Sequence, residues 1–210
     1  GDVIMVGGFV VFTTMSGAGL PPLISILISM LACTALGVLI ERIAYKPLRG
    51  ASKLAVLITA IGVSYFLQNM ALLIFGSNTK SFTSVVNMEP ISLADGAIII
   101  SGETIVTVLT CIVIMVALTS FIKYSKSGRA MLAVSEDSGA AQLMGVNVNA
   151  TIALTFAIGS ALAAIAGVLL CSSYPALTPY TGAMPGIKAF VAAVFGGIGS
   201  IPGAFIGGIL

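Results

Sequence analysis

An all-α, polytopic transmembrane helical bundle is the fold this sequence predicts, on three observations. The chain is 58% hydrophobic and only 8% charged, where an average soluble domain carries about 25% charged residues. Several apolar runs approach 20 residues, and about that many in an α-helix cross the roughly 30 Å of bilayer hydrocarbon. The runs are unbroken, which excludes the alternating strands of about ten residues that build a membrane β-barrel.

The first run, Val3–Met15, falls short of a full span and is weakened by Gly7 and Gly8. Leu20–Ile40 is a full-length span, with Pro21 and Pro22 accommodated in its first turn. A basic loop follows, in which Arg42, Lys46, Arg49 and Lys53 outweigh Glu41. Leu54–Phe75 is the second span, and a long polar loop, 76–103, separates it from the third, Thr104–Ile122. A polar island, Ser127–Gly145, precedes the fourth span, Thr151–Ser172. Tyr174-Pro175 and Thr178-Pro179-Tyr180 then mark an outer loop.

The remaining residues are apolar but interrupted by Gly196, Gly197, Gly199, Pro202 and Gly203. Irregular backbone survives at membrane depth only where protein or a watery cavity satisfies it. Residues 186–210 are therefore either a broken, re-entrant element or two short helices joined by a tight glycine turn. The chain opens at Gly1 beside one apolar run and closes inside another at Leu210. That pattern is expected of a single transmembrane domain, 1–210, cut at both ends.

Charge sets the orientation. Basic residues collect on the cytoplasmic side of membrane proteins. The loop 41–53 has four, and Lys123, Lys126 and Arg129 follow the third span, whereas loop 76–103 has only Lys80 against Glu89, Asp95 and Glu103. Alternating spans demand that the first two of these share a side and the third lie opposite, and the charges agree. Segments 41–53 and 123–150 are thus expected in the cytoplasm, and 76–103 on the outer side of the membrane.

Several function classes are excluded. A net charge of +2 with scattered basic residues gives no nucleic-acid footprint. Cys33, Cys111 and Cys171 lie within apolar runs without paired spacing and read as small buried hydrophobes, not metal ligands. There is no His, no G-x-S-x-G elbow and no G-x-x-x-x-G-K-[ST] phosphate loop. The spans as bounded above contain no acidic residue, so a proton-coupled carrier lacks its relay groups. No catalytic residue, metal or cofactor of its own is expected, and any energy must come from another subunit or from a gradient by some other route.

Small residues recur at fourfold spacing at Gly159, Ala163 and Gly167, and again at Gly199, Gly203 and Gly207. Such ridges let helices pack closely in lipid, or else thin the wall of a solute path. Thr59, Gly62, Phe66 and Asn69 share one face of the second span. An amide facing lipid is costly, so Asn69 is expected inward, either bonding a neighbouring helix or lining a path for a polar solute with the other three. Gln68 points elsewhere and needs its own partner. Lys188 is the single charge of the C-terminal stretch and is expected to snorkel to the outer interface; binding a carboxylate is the alternative.

The island reads as one Ala-rich helix. At 100° per residue, Ala130, Ala133, Val134, Asp137, Ala140, Ala141 and Met144 share a face, with Arg129 upstream and Glu136 on the far side. A low-relief alanine face with one carboxylate suits a partner's groove, with Asp137 meeting a basic group. The competing reading lays the helix on lipid headgroups, for which alanine and the absence of Trp and Phe give a weak anchor. Gly145 is expected to end the helix and Asn149 to cap the next span.

A resemblance gathers these features. Ala141-x-x-x-Gly145, with small residues before it and a long span after it, resembles the EAA loop of ABC importer permeases. ERIAYKPLRGASKLAVLITAIGVSYFLQN, SGRAMLAVSEDSGAAQLMGVN, IALTFAIGSALAAIAGVLL and GIKAFVAAVFGGIGSIPGAFIGG together resemble the branched-chain amino acid permease family, in its LivH-type members, over nearly the whole chain. The resemblance implies the ABC importer permease fold and a coupling helix within 123–150 that docks on a cytoplasmic ATPase. It also implies transport by alternating access, a second related permease subunit, two ATPase subunits that use the ATP, an extracytoplasmic solute-binding protein, and one helix upstream of Gly1. On that reading Arg129, Ala133, Glu136, Asp137, Ala140, Ala141, Met144 and Gly145 form the docking element. One departure stands out: Gly139 and the two alanines after it occupy the place where the loop's name calls for Glu, while Glu136 and Asp137 supply acid a turn earlier. Permeases for urea, short amides or sugars, and a channel or scaffold outside the ABC class, are the alternatives.

Overall fold

The computed structural model describes residues 1–82, 85, 91–93, 98–197 and 199–210. Glu89 and Asp95, used above for orientation, lie outside the described residues. Four helices are long and apolar enough to cross a membrane: Pro22–Leu48, Leu54–Phe75, Gly102–Tyr124 and Val148–Ser173. The chain is an all-α membrane bundle, as its hydropathy predicts.

Helix α1, Asp2–Ala18, is continuous through its glycine pair. The pair does not weaken it but sets its packing. A Cβ at Gly7 would press on the backbone of Ala164, and one at Gly8 on Cys171 and Leu177. Met5, Phe9 and Val11 of α1 are among the most buried side chains of the chain. Although its apolar run falls short of a full span, α1 lies in the centre, packed on both α2 and α7.

Helix α2, Pro22–Ile40, buries Ser25, Ser29, Cys33 and Gly37, one residue every fourth position. This is a small-residue ridge of the kind that lets helices approach in lipid, and it meets both neighbours. The Ser29 hydroxyl donates to the carbonyl of Gly7 at 2.9 Å, and Gly37 lies so close to Ser160 that no Cβ fits between them. Beyond Ile40 the expected basic loop is helical: a π-turn at Glu41–Tyr45 and a 3₁₀ turn at Lys46–Leu48 prolong α2, and Arg49 pairs with the buried Glu41.

Helix α3, Lys53–Phe75, is N-capped by Ser52, whose hydroxyl accepts from the Ala55 amide. Its outer face exposes Leu57, Ile58, Ile61, Tyr65, Phe66 and Leu73, as a helix facing hydrocarbon or a second membrane subunit does. Phe75 stacks on Phe9 with ring centroids 4.2 Å apart. The connection to the third span carries strand β1, Lys80–Ser81, and a hairpin of β2, Ile91–Leu93, with β3, Ile98–Ile100. Helix α4 is Gly102–Tyr124.

The island is two helices, α5, Lys126–Glu136, and α6, Ser138–Leu143, broken at Asp137. Gly145 ends α6 as expected, with φ +83°. Its amide donates to Gln142 and that of Val146 to Ala141, the paired bonds of a Schellman cap. Helix α7, Val148–Ser173, is capped by Asn147 instead of Asn149, because the helix begins three residues earlier than the apolar run.

Strand β4, Ala176–Leu177, pairs antiparallel with β1 at the end of the bundle away from the basic segments. The expected outer loop then turns inward. Leu177 and Pro179 are fully buried, Leu177 against Gly8, and Gly182 reaches the backbone of Gly1 and Asp2. From Gly8 to Gly1 is seven residues of α1, so this irregular stretch descends about 10 Å into the bundle. Its backbone is largely paired on the way: β4 bonds β1, the Thr178 amide donates to the Thr181 hydroxyl and the Thr181 amide to the Thr178 carbonyl, as irregular backbone at this depth requires. Helices α8, Ala183–Phe195, and α9, Ile201–Ile209, follow as a hairpin. Residues 186–210, where described, thus follow the second reading, two short helices joined by a glycine turn; the inward turn of 177–182 lies before them.

A candidate translocation cleft and an exposed helix pair

A cleft of about 470 Å³ lies between α2, α3 and α7, and the first turn of α1 also lines it. At the end nearer the basic segments stand Tyr45 and Phe156, ring centroids 5.1 Å apart. The walls are mostly apolar, with hydroxyls from Ser64, Thr155 and Ser160.

Asp2 is the one acidic residue on the cleft, and it is only 7% exposed. Its Oδ1 accepts from the Gln68 amide at 2.8 Å, and its Oδ2 accepts from the Ser64 hydroxyl. Ser64 lies eleven residues from each end of α3, about 16 Å at 1.5 Å per residue, so Asp2 sits near the middle of the hydrocarbon. The expectation of spans free of acid is corrected here. Asp2 precedes the apolar run, yet it is the first residue of α1 and is carried inside with it. Gln68 has found the partner it needed. The legible signal was Ser64 and Gln68, two polar residues four apart in an apolar helix.

That same pair turns the expected path face away. Thr59, Gly62, Phe66 and Asn69 lie roughly opposite Ser64 on α3; Gly62, Phe66 and Asn69 are exposed, and none of the four lines the cleft. Asn69 tolerates this because its side-chain amide donates to the carbonyl of Tyr65, one turn back, at 2.8 Å. Of the α7 ridge, Gly159 and Ala163 face the cleft, while Gly167 packs on the backbone of Ile4 and Gly8. Gly203 and Gly207 pack against Gly196 and Ala192 within the terminal hairpin. Gly199 is not on the helix but in the turn before it, at φ +99°. Lys188 is exposed on α8, two residues past Gly186, whose Cα lies beside Gly1. This sets Lys188 near the depth of Asp2 and away from the outer interface.

In the island the single docking face does not survive, because Asp137 leaves the helix. With φ −147° and ψ 105° it caps α6, its carboxylate accepting from the amides of Gly139 and Ala140 at 2.8 and 3.0 Å. Gly139 therefore sits in the first turn of a new helix, where its cost is smaller than in an interior. Ala141 is buried, whereas Arg129, Ala133, Glu136, Ala140 and Gly145 are exposed. Of the island's apolar side chains the most exposed are Leu143 and Met144, 90% and 85% accessible, at the C-terminal tip of α6. Behind the tip, α5 and α6 rest on α7, and Gly128 of α5 lies against the backbone of Phe121 and Ile122 in α4.

The profile of the family described as "Branched-chain amino acid transport system / permease component" matches residues 1–210. The chain is 42% identical to the high-affinity branched-chain amino acid transport system permease protein LivH of Salmonella typhimurium, across 100% of this chain and 71% of that one. It is 43% identical to the corresponding protein BraD of Pseudomonas aeruginosa, across 100% and 72%. It is 28% identical to a probable branched-chain amino acid transport permease protein LivH of Methanocaldococcus jannaschii, across 100% and 67%. No solved structure matches. Apolar spanning helices and bacterial permease relatives make it an integral protein of the bacterial inner membrane. Matched by the family along its entire length, the chain belongs to the branched-chain amino acid transport system permeases.

Proposed function

We propose that the chain is a membrane-spanning subunit of an ATP-driven importer and carries branched-chain amino acids through the bilayer by alternating access. The observation that carries the reading is the cleft: an apolar passage between spanning helices with a few hydroxyls and one carboxylate at mid-depth. Such a lining suits a small solute with an aliphatic side chain and a polar, charged backbone. The energy comes from elsewhere, since the sequence holds no phosphate loop. ATP is used by two cytoplasmic ATPase subunits, which grip the α5–α6 pair. The tip Leu143–Met144 enters a groove on the ATPase, and Arg129 and Glu136 flank it. A second related permease subunit completes the path, and an extracytoplasmic binding protein delivers the solute to the end where β1 and β4 pair.

The test is reconstitution of this chain with those partners in proteoliposomes. Uptake of radiolabelled leucine is expected only with ATP on the ATPase side, and ATP hydrolysis is expected to rise when loaded binding protein is added. Leucine uptake that persists without ATP hydrolysis would overturn the coupling, and uptake of sugars in its place would overturn the substrate.

A further inference from the structure

Asp2 is more than nine-tenths buried, lies near mid-membrane, and has no cation within ion-pair distance among the described residues, where the one ion pair is Glu41–Arg49. Taking a carboxylate out of water without a counter-charge is expensive, and an ionisable group at this depth is retained when it serves a path or a ligand. Gln68 and Ser64 hold one bond to each oxygen. A carboxylate has about four acceptor positions, so roughly half its capacity remains. The residue lines the cleft, where Ser64, Thr155 and Ser160 add hydroxyls and the rest of the wall is apolar. A passing cation would therefore meet one strong acceptor, already oriented by two hydrogen bonds.

We infer that Asp2, held in place by Ser64 and Gln68, is the transient binding point for the ammonium group of the amino acid as it crosses the permease. The inference rests on the proposed importer function and adds a specificity element to it. Solutes with a primary ammonium and an aliphatic side chain are matched by the carboxylate and the apolar wall, and uncharged solutes gain nothing from Asp2. No covalent step is involved. The ammonium donates to the free acceptor positions and leaves when the helices reopen.

The complete transporter, with its second permease, ATPases and binding protein, is compared in proteoliposomes as parent, Asp2→Asn, Asp2→Glu and Asp2→Ala. Asn keeps the size and can still bond Ser64 and Gln68, but it lacks the charge. Leucine uptake by Asp2→Asn is expected to fall roughly tenfold or more, the worth of one charge-assisted hydrogen bond, with assembly and binding-protein-stimulated ATP hydrolysis retained. Asp2→Glu is expected to recover much of the uptake. Asp2→Ala is expected to lose uptake and also to melt at lower temperature, since it breaks the tie to α3. Parent-like uptake by Asp2→Asn would overturn the assignment, and so would loss of assembly in Asp2→Asn, which would make the charge a structural one. A parent that imports leucine while Asp2→Asn imports it equally well sinks the ammonium site alone. A parent that imports only uncharged solutes sinks the proposed substrate and the ammonium site together.

Discussion

Asp137 shows how one residue redirects a site. A helical wheel drawn through the island places it at the centre of an alanine face, where its charge would meet a partner. Its carboxylate instead accepts the amides of Gly139 and Ala140, and the wheel breaks in two. The cue was present in the sequence, since Asp followed by Ser and Gly is an N-cap signature as much as a surface charge. A wheel has no place for a break, so the cap was not legible from periodicity. The two readings make different predictions. If Asp137 acts as a cap, Asp137→Asn leaves uptake within about twofold, because Asn caps as well as Asp, while Asp137→Ala costs α6 about 1 kcal/mol and lowers coupled ATP hydrolysis. Faster amide exchange at Gly139 and Ala140 in the Ala variant checks the mechanism. Equal damage from Asn and Ala would restore the charge-pairing role. Asp2 was missed for a related reason: it stands one residue outside the apolar run, and only the fold reveals that this end of α1 is inside.

At the level of elements, the spanning helices were legible and their junctions were not. Apolar runs of about 20 residues have few alternatives in a membrane chain, and α2, α3, α4 and α7 sit within a few residues of the predicted spans. Junctions depend on which backbone group finds which partner. That is why the π-turn after Ile40, the descent of Leu177–Gly182 and the start of α7 at Val148 emerged only from the structure. The junction with the clearest mechanical consequence is the corner between α4 and α5. Ser125 caps α5 through the Gly128 amide, and a Cβ on Gly128 would collide with the backbone of Phe121 and Ile122. Backbone cannot step aside as a side chain can. Gly128→Ala is therefore expected to pry α5 from α4 at a cost of about 1–3 kcal/mol. The expected readout is a transporter that inserts and assembles, hydrolyses ATP at its basal rate, and loses most of the stimulation by loaded binding protein. Full stimulation in Gly128→Ala would show that the corner does not carry the motion.

For the whole molecule, the charge asymmetry and the packing can be set against each other. The positive-inside count used Glu89 and Asp95, yet the described residues reach the same division without them. Tyr45, beyond α2, touches Phe156 near the start of α7, so the two basic segments share an end. Strand β1 after α3 pairs with β4 after α7, so the other two connections share the opposite end. Two independent constraints, one from lysines and arginines and one from a ring contact and a strand pair, thus give one division of the connections between the two ends, and the basic end is the one expected in the cytoplasm. Single cysteines at Lys46, Lys126, Ser81 and Tyr174 test it, against a low background because Cys33 and Cys171 are buried and Cys111 lies within α4. In intact cells a membrane-impermeant thiol reagent is expected to label Ser81→Cys and Tyr174→Cys. Lys46→Cys and Lys126→Cys are expected to react only after permeabilisation. The mirror-image pattern would invert the orientation and put the α5–α6 tip out of reach of any cytoplasmic ATPase. Labelling of Lys46→Cys and Lys126→Cys from opposite sides would contradict the bundle itself, since no rotation of this fold separates two segments joined through Tyr45 and Phe156.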